Sequence, residues 1–186
     1  ISLSNNDNNT GNTVFGSSAF NASSDNASDN NTVFGANAMG AGVVSGATHN
    51  VAIGESALND MTGGDNNVAV GSSAMLNATT ASKNVAVGRQ AMGLGISNGS
   101  DNVAIGYVSL YDITSGSNNV AIGKESAQNL TDGQENVIIG DGAGQTTTSV
   151  HDVVVIGRGA MQNGNVTNDA DGTVAVGYKS LESLTS

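Results

Sequence analysis

The chain has 186 residues, a formal net charge of -11 and no Cys, Pro or Trp. It contains only five Lys and Arg residues, too few to neutralise a row of phosphates, so nucleic-acid binding is not expected. No apolar run reaches the roughly 18 residues that a membrane-spanning helix needs, so no direct membrane insertion is expected either. An acidic chain rich in Asn, Ser and Gly suits an extracellular setting.

One short phrase recurs ten times along the chain: β-branched residues followed by a glycine, at spacings of 17 to 20 residues. The repeated glycines are Gly16, Gly35, Gly54, Gly71, Gly88, Gly106, Gly123, Gly140, Gly157 and Gly177. Repetition at a nearly fixed period is typical of solenoids, in which each repeat forms one coil. The pattern predicts an all-β, parallel β-roll or β-solenoid of about ten coils, roughly 48 Å long if coils stack about 4.8 Å apart.

The repeat pattern predicts a single domain over residues 1–186. Within it, residues 1–11 form an N-terminal extension, residues 12–181 form the ten-coil solenoid and residues 182–186 form the C-terminal end.

The three residues before each glycine form apolar columns. The middle column consists of Val14, Val33, Ala52, Ala69, Ala86, Ala104, Ala121, Ile138, Val155 and Ala175. Its side chains face opposite to those of the residues on either side, because side chains alternate along a strand. A strand that is apolar on both faces needs a cover on both. Small Ala side chains suit close approach of identical chains, so we predict a homo-oligomer, most simply a homotrimer, while the sequence leaves open which face of the strand lines its axis.

An asparagine stands four residues before the glycine in eight of the ten repeats. The column is Asn12, Asn31, Asn50, Asn67, Asn84, Asn102, Asn119 and Asn136, and the last two repeats have Val153 and Thr173 instead. Stacked Asn side chains pass amide hydrogen bonds along other stacked β-structures, so this column is predicted to be a structural ladder rather than a ligand site.

A second set of columns follows the glycine. Apolar residues at the seventh position (Met61, Ile113, Leu130) and threonines at the eighth (Thr62, Thr79, Thr114, Thr131, Thr148) predict a second, shorter strand in each coil.

The residue directly after the glycine varies, which predicts an exposed position. Six of these residues form a candidate binding column: Arg89, Tyr107, Lys124, Asp141, Arg158 and Tyr178. Arg89, Tyr107 and Lys124 are predicted to lie within cation–π reach, and Lys124, Asp141 and Arg158 to form a charge ladder. Aromatic and Arg side chains often dominate interface energies, so a receptor or matrix component, protein or glycan, is the predicted partner. A merely solvated face is the alternative interpretation.

The sequence predicts no catalytic residues and no metal site. His49 and His151 precede equivalent strands about six coils apart, with no nucleophile pattern nearby. Residues 168–172 (Asn-Asp-Ala-Asp-Gly) contain half of a calcium loop but lack the acid that would complete it. No cofactor is therefore expected, with calcium left open.

The phrase Asn-Val-Ala-Ile-Gly at residues 50–54, 102–106 and 119–123 resembles the head-domain repeat of trimeric autotransporter adhesins. That resemblance implies a left-handed parallel β-roll with three chains side by side, used for attachment. The longer repeats, as at residues 63–71 and 116–123, are also similar to arrays in phage tail-fibre proteins, which are trimeric rods as well.

The expected function is a non-enzymatic structural or adhesive fibre segment. The first hypothesis is a trimeric phage tail-fibre or surface-fibre shaft, on a virion or a bacterial cell, that presents or contributes to receptor attachment. The alternative is the head of a bacterial trimeric autotransporter adhesin. A carbohydrate-active β-solenoid enzyme is the third hypothesis, with little support because the acids lie mainly in turns and aromatic residues are few.

Overall fold

The computed structural model describes residues 10–21, 27–95, 98–164 and 170–184. It contains one sheet of ten parallel strands whose spatial order follows the chain order. The strands are β1 (Thr13–Phe15), β2 (Thr32–Phe34), β3 (Val51–Ile53), β4 (Val68–Val70), β5 (Val85–Val87), β6 (Val103–Ile105), β7 (Val120–Ile122), β8 (Val137–Ile139), β9 (Val154–Ile156) and β10 (Val174–Val176). The predicted all-β, parallel β-solenoid is confirmed, and each coil is numbered below after its strand.

Equivalent residues of successive coils lie side by side. Val103 in β6 pairs with Val85 in β5 and with Val120 in β7, and the same register holds across the sheet. The N–H of Gly106 donates to the carbonyl oxygen of Val87 at 2.8 Å, and each later repeated glycine bonds likewise to the preceding coil. Columns in the sequence are therefore rows of touching residues along the rod.

Two constraints explain the repeated glycine. Gly106 has a φ of +139°, a conformation that side chains strongly disfavour. A Cβ built on it would lie 2.3 Å from the carbonyl oxygen of Gly123 in the next coil. A larger residue would push the two coils apart.

The two faces of each strand differ from the prediction. The middle residues are buried inside the chain, and from Ala52 to Ala175 all but Ile138, at 1%, have 0% exposure. The first and third residues are half-buried or exposed on the outside. The suggestion that the small Ala side chains lie against identical chains was therefore wrong, and of the two strand faces only the other one is open to a partner. Ala is small because Met and Leu side chains from the opposite wall, such as Met92 and Leu110, fill the narrow interior.

The second strand predicted for each coil was also wrong. In the described ranges the chain turns at these positions, and no strand forms besides β1 to β10. Met61, Ile113 and Leu130 are fully buried core residues. Isolated hydrogen bonds join coils here, such as Thr114 N–H to the Thr131 carbonyl at 2.8 Å, but they do not continue into a strand ladder. Apolar residues at this position contribute to the core without forming a sheet.

Nothing in the described ranges forms a helix of the length and apolarity that crossing a bilayer would require.

Candidate functional site

The asparagine column forms a continuous hydrogen-bonded ladder inside the solenoid. The Oδ1 atom of Asn102 accepts the backbone N–H of Asn119 at 3.0 Å and its Nδ2 group at 3.0 Å. The Nδ2 group of Asn102 donates to Asn84 Oδ1 at 3.1 Å and to the Gly116 carbonyl at 2.9 Å. The same pattern runs through Asn50, Asn67, Asn84, Asn102, Asn119 and Asn136.

These asparagines have no capacity left for a ligand. Each middle member of the column uses both amide hydrogens as donors and its oxygen as a double acceptor, which is its full usual complement. Asn102 and its neighbours Asn84 and Asn119 are at most 1% exposed. The column therefore stabilises the stack, in the role that the sequence predicts.

We define the outer strand face as the first and third residues of β1 to β10. Apart from Thr13 and Thr32 it consists of Val, Ile and Phe. Phe15 and Phe34 stack at one end with ring centroids 5.0 Å apart, and Val174 and Val176 at the other end are 66% and 62% exposed. The face is an unbroken apolar strip about 45 Å long and about 10 Å wide.

We define the end corner as the two residues that follow each repeated glycine. It carries four of the chain's five basic residues: Arg89, Lys124, Arg158 and Lys179. Arg89 Cζ lies 5.7 Å from the ring centroid of Tyr107. Arg158 Cζ lies 5.2 Å from that of Tyr178, and an Arg158 Nη2–H donates to the Tyr178 hydroxyl oxygen at 3.3 Å. The structure thus brings these predicted residues together as two Arg–Tyr pairs.

The rest of the predicted binding column is arranged differently. Lys124 forms an ion pair with Glu125 at 3.0 Å, and this hydrogen bond and charge raise the pKa of Lys124 above its usual value. Within the described residues, Lys124 has no cation–π contact with Tyr107, and neither Lys124 nor Arg158 approaches Asp141 within 4.0 Å. The charge ladder predicted for Lys124, Asp141 and Arg158 is therefore absent as a set of direct ion pairs.

We define the start corner as the residues five and six positions before each repeated glycine. Its acids are Asp29, Asp65, Asp101, Glu135, Asp152 and Asp171. Asp65 Oδ1 accepts the Thr48 N–H at 2.7 Å, and Asp171 Oδ1 accepts the His151 N–H at 2.7 Å. Asp101, Glu135 and Asp152 are exposed, and their carboxylates have no hydrogen bond or ion pair within the described part of the chain.

The histidines lie in separate coils of the start corner. His151 Nδ1 accepts the Gln134 N–H at 3.2 Å, and His49 is exposed with a φ of +59°. No group of three or more His, Asp or Glu side chains is arranged to hold a metal ion in the described ranges. Asn168 and Asp169 of the half calcium loop lie outside those ranges.

All residues of β1 to β10 except Thr13 and Thr32 are apolar, so the sequence pattern did not distinguish the outer strand face from the buried one. The asparagine column is the pattern that could have identified the buried face of each strand. Each Asn lies two residues before the middle strand residue, and residues two apart along a strand share a face. An Asn column that hydrogen-bonds within the stack is buried, so the middle column is buried with it.

The geometry defines the chain as a β-solenoid repeat protein with one apolar outer face bounded by two charged corners. No family model, characterised protein or solved structure matches it.

Proposed function

We propose that the chain is a non-enzymatic structural segment of a homotrimeric extracellular fibre, a phage tail-fibre or surface-fibre shaft that presents or contributes to receptor attachment. The observation that supports the proposal is the outer strand face. An exposed apolar patch of several hundred Å² is often functional on a soluble protein, and this one runs along every coil. Three copies arranged around an axis parallel to the rod would bury all three faces together.

Rigidity supports the structural role. The stack is held by a continuous Asn ladder, by a parallel sheet that runs through every coil, and by glycines in close backbone contact. A rigid trimeric rod holds whatever it carries at a fixed distance. It also presents three copies of any weak contact, which raises avidity through effective concentration. The head of a bacterial trimeric autotransporter adhesin has the same requirements and is the alternative proposal.

The test is the mass in solution of the chain and of two matched variants. We expect a species near three times 18.4 kDa. Ile105→Lys places a charge on the outer strand face and should shift this species towards the monomer. Leu94→Lys is the control, because Leu94 is 53% exposed but lies off that face, so it should leave the trimer intact. A folded monomer at every concentration would contradict the proposal.

The non-enzymatic part of the proposal has its own test. Host-derived and bacterial polysaccharides are incubated with the protein, and chain length is followed by size-exclusion chromatography. No shortening is expected, and reproducible cleavage would replace the fibre proposal with the enzyme hypothesis.

A further inference from the structure

We propose that the basic residues of the end corner of one chain contact the acidic start corner of a neighbouring copy, so that ion pairs between subunits fix how the copies align. This inference rests on the proposed homo-oligomer and adds the residues that direct its assembly. It assigns Arg89, Lys124 and Arg158, which the sequence pattern places on a receptor-facing column, to the subunit interface instead.

Basic and acidic residues collect on opposite borders of the outer strand face. Each strand begins just after the start corner and ends just before the end corner, so the two corners border the outer strand face on opposite sides. The basic residues collect on one border and most of the acids near the strands on the other. Lys83 on the start corner, and Glu55, Glu125 and Asp141 on the end corner, carry the minority sign.

Rotational symmetry brings the two unlike corners of neighbouring copies together. Rotation about an axis parallel to the rod keeps the strands running in one sense around that axis. The end corner of each copy then meets the start corner of the next, with equal coil numbers at the same height. Copies packed with their rods antiparallel would instead place start corner against start corner, and acid would face acid.

Basic residues of the end corner and acidic residues of the start corner lie at similar heights along the rod. Arg158 and Asp152 both belong to coil 9. Lys124 in coil 7 lies one coil from the level of Glu135, a step of about 4.8 Å that its side chain can span. Arg89 in coil 5 is likewise one coil from the level of Asp101.

Apart from Lys124, which pairs with Glu125 in its own chain, these groups have no charged partner within the described part of the chain. Arg89 and Arg158 have no carboxylate within 4.0 Å in the described ranges, and Asp101, Glu135 and Asp152 have no ion pair there. The cation–π contacts of the two arginines leave most guanidinium N–H donors free for a carboxylate.

The apolar strip alone is smaller than a stable interface. The apolar strip covers about 450 Å² at strand dimensions, whereas a stable interface buries about 800 Å² from each partner. The two corners supply the additional width on either side of the strip.

Charge reversal tests the proposed contact between Arg158 and Asp152. Arg158→Glu and Asp152→Arg, made singly, should each raise the dissociation constant of the oligomer about tenfold, because like charges then face each other. The double variant Arg158→Glu/Asp152→Arg should return to within about threefold of the original value. Asp152→Asn removes the charge while keeping a residue type found at the same corner in Asn66 and Asn118, and its effect should be smaller than that of reversal.

Cysteine pairing supplies a geometric readout, because the chain has no cysteine of its own. Arg158→Cys chains co-refolded with Asp152→Cys chains and treated with a short bis-maleimide, which spans an Arg–Asp separation that a direct disulfide does not, should form linked dimers on a denaturing gel, whereas neither variant should cross-link by itself. Cross-linking of Arg158→Cys alone would show that like corners meet and would overturn the proposal.

The outcomes separate this inference from the proposed function. A chain that is monomeric at every concentration contradicts both. An oligomer that Ile105→Lys dissociates, but that single charge reversals leave unchanged, contradicts only the corner contact. Circular dichroism of each variant establishes that the solenoid still folds, which is expected because both residues are exposed.

Discussion

Coil 6, in the middle of the rod, and coil 10, the last described coil, share the repeat pattern but differ in their surroundings. In coil 6, Asn102 bonds to the coils on both sides and Gly106 touches the backbone of the next coil. In coil 10, Thr173 replaces the Asn, and a Cβ on Gly177 would meet nothing within 4 Å. The comparison shows that most constraints on a coil come from the coil stacked on it rather than from its own fold.

The largest difference in stability expected between the two coils comes from substituting the repeated glycine. Gly106→Ala combines a φ of +139° with a contact of 2.3 Å to backbone, whereas Gly177→Ala has a φ of +125° and open space. We expect the first to lower the free energy of unfolding by about 4 kcal/mol or more and the second by about 2 kcal/mol, the cost of backbone strain alone. Urea denaturation of both variants measures the difference. Equal losses would show that contact between coils does not select the glycine.

Substitutions in the asparagine column should give the next largest difference in stability between the two coils. Asn102→Ala leaves the N–H and amide groups of Asn119 and the oxygen of Asn84 short of partners in the core, so we expect a loss of about 3 kcal/mol. Thr173→Ala in the same column should cost less than about 1 kcal/mol, because Thr173 is only half-buried and its side chain has no hydrogen bond within the described residues. Thermal unfolding of both variants is the measurement. A loss for Asn102→Ala as small as that for Thr173→Ala would contradict a stabilising ladder.

The smallest expected effect concerns Asp112, in coil 6. Partial burial raises the pKa of its carboxyl group. A raised pKa means that the folded state disfavours the charged form, so Asp112 reduces stability as the pH rises through its titration range. Asp112→Asn should therefore raise the free energy of unfolding at pH 7 by less than about 0.5 kcal/mol, seen as a slightly higher melting temperature, and have no such benefit at pH 3. A lower melting temperature at pH 7 would show that the carboxylate is favourably paired.

The sequence predicts much of this fold because its columns coincide with contacts between coils. Ten strands lie at the three positions before the repeated glycines, and the Asn side chains bond to each other as their spacing suggests. Val103, Ala104 and Ile105 do not show which face of the strand points inward. All three are apolar, so no alternation of polar and apolar residues distinguishes the two faces. Met61 and Leu130 suggested a second strand because buried turn residues and strand residues share the same apolar composition.

The candidate site was less predictable for a related reason. The Arg89–Tyr107 and Arg158–Tyr178 pairs follow from residues stacked one coil apart. The pairing of Lys124 with Glu125 does not, because it depends on the local turn rather than on stacking. The sequence does not show which charged groups lack a partner, because that depends on where the side chains of the two corners lie in the fold.

The Asn ladder also has a direction. Every Asn oxygen accepts from the coil that follows it, and Asn136 still does so for the Val153 N–H at 3.1 Å, where the asparagines stop. Each finished coil therefore offers an acceptor to the coil synthesised after it. Since chains are made from the amino terminus and repeat proteins fold by propagation between neighbours, we expect the rod to extend coil by coil during translation.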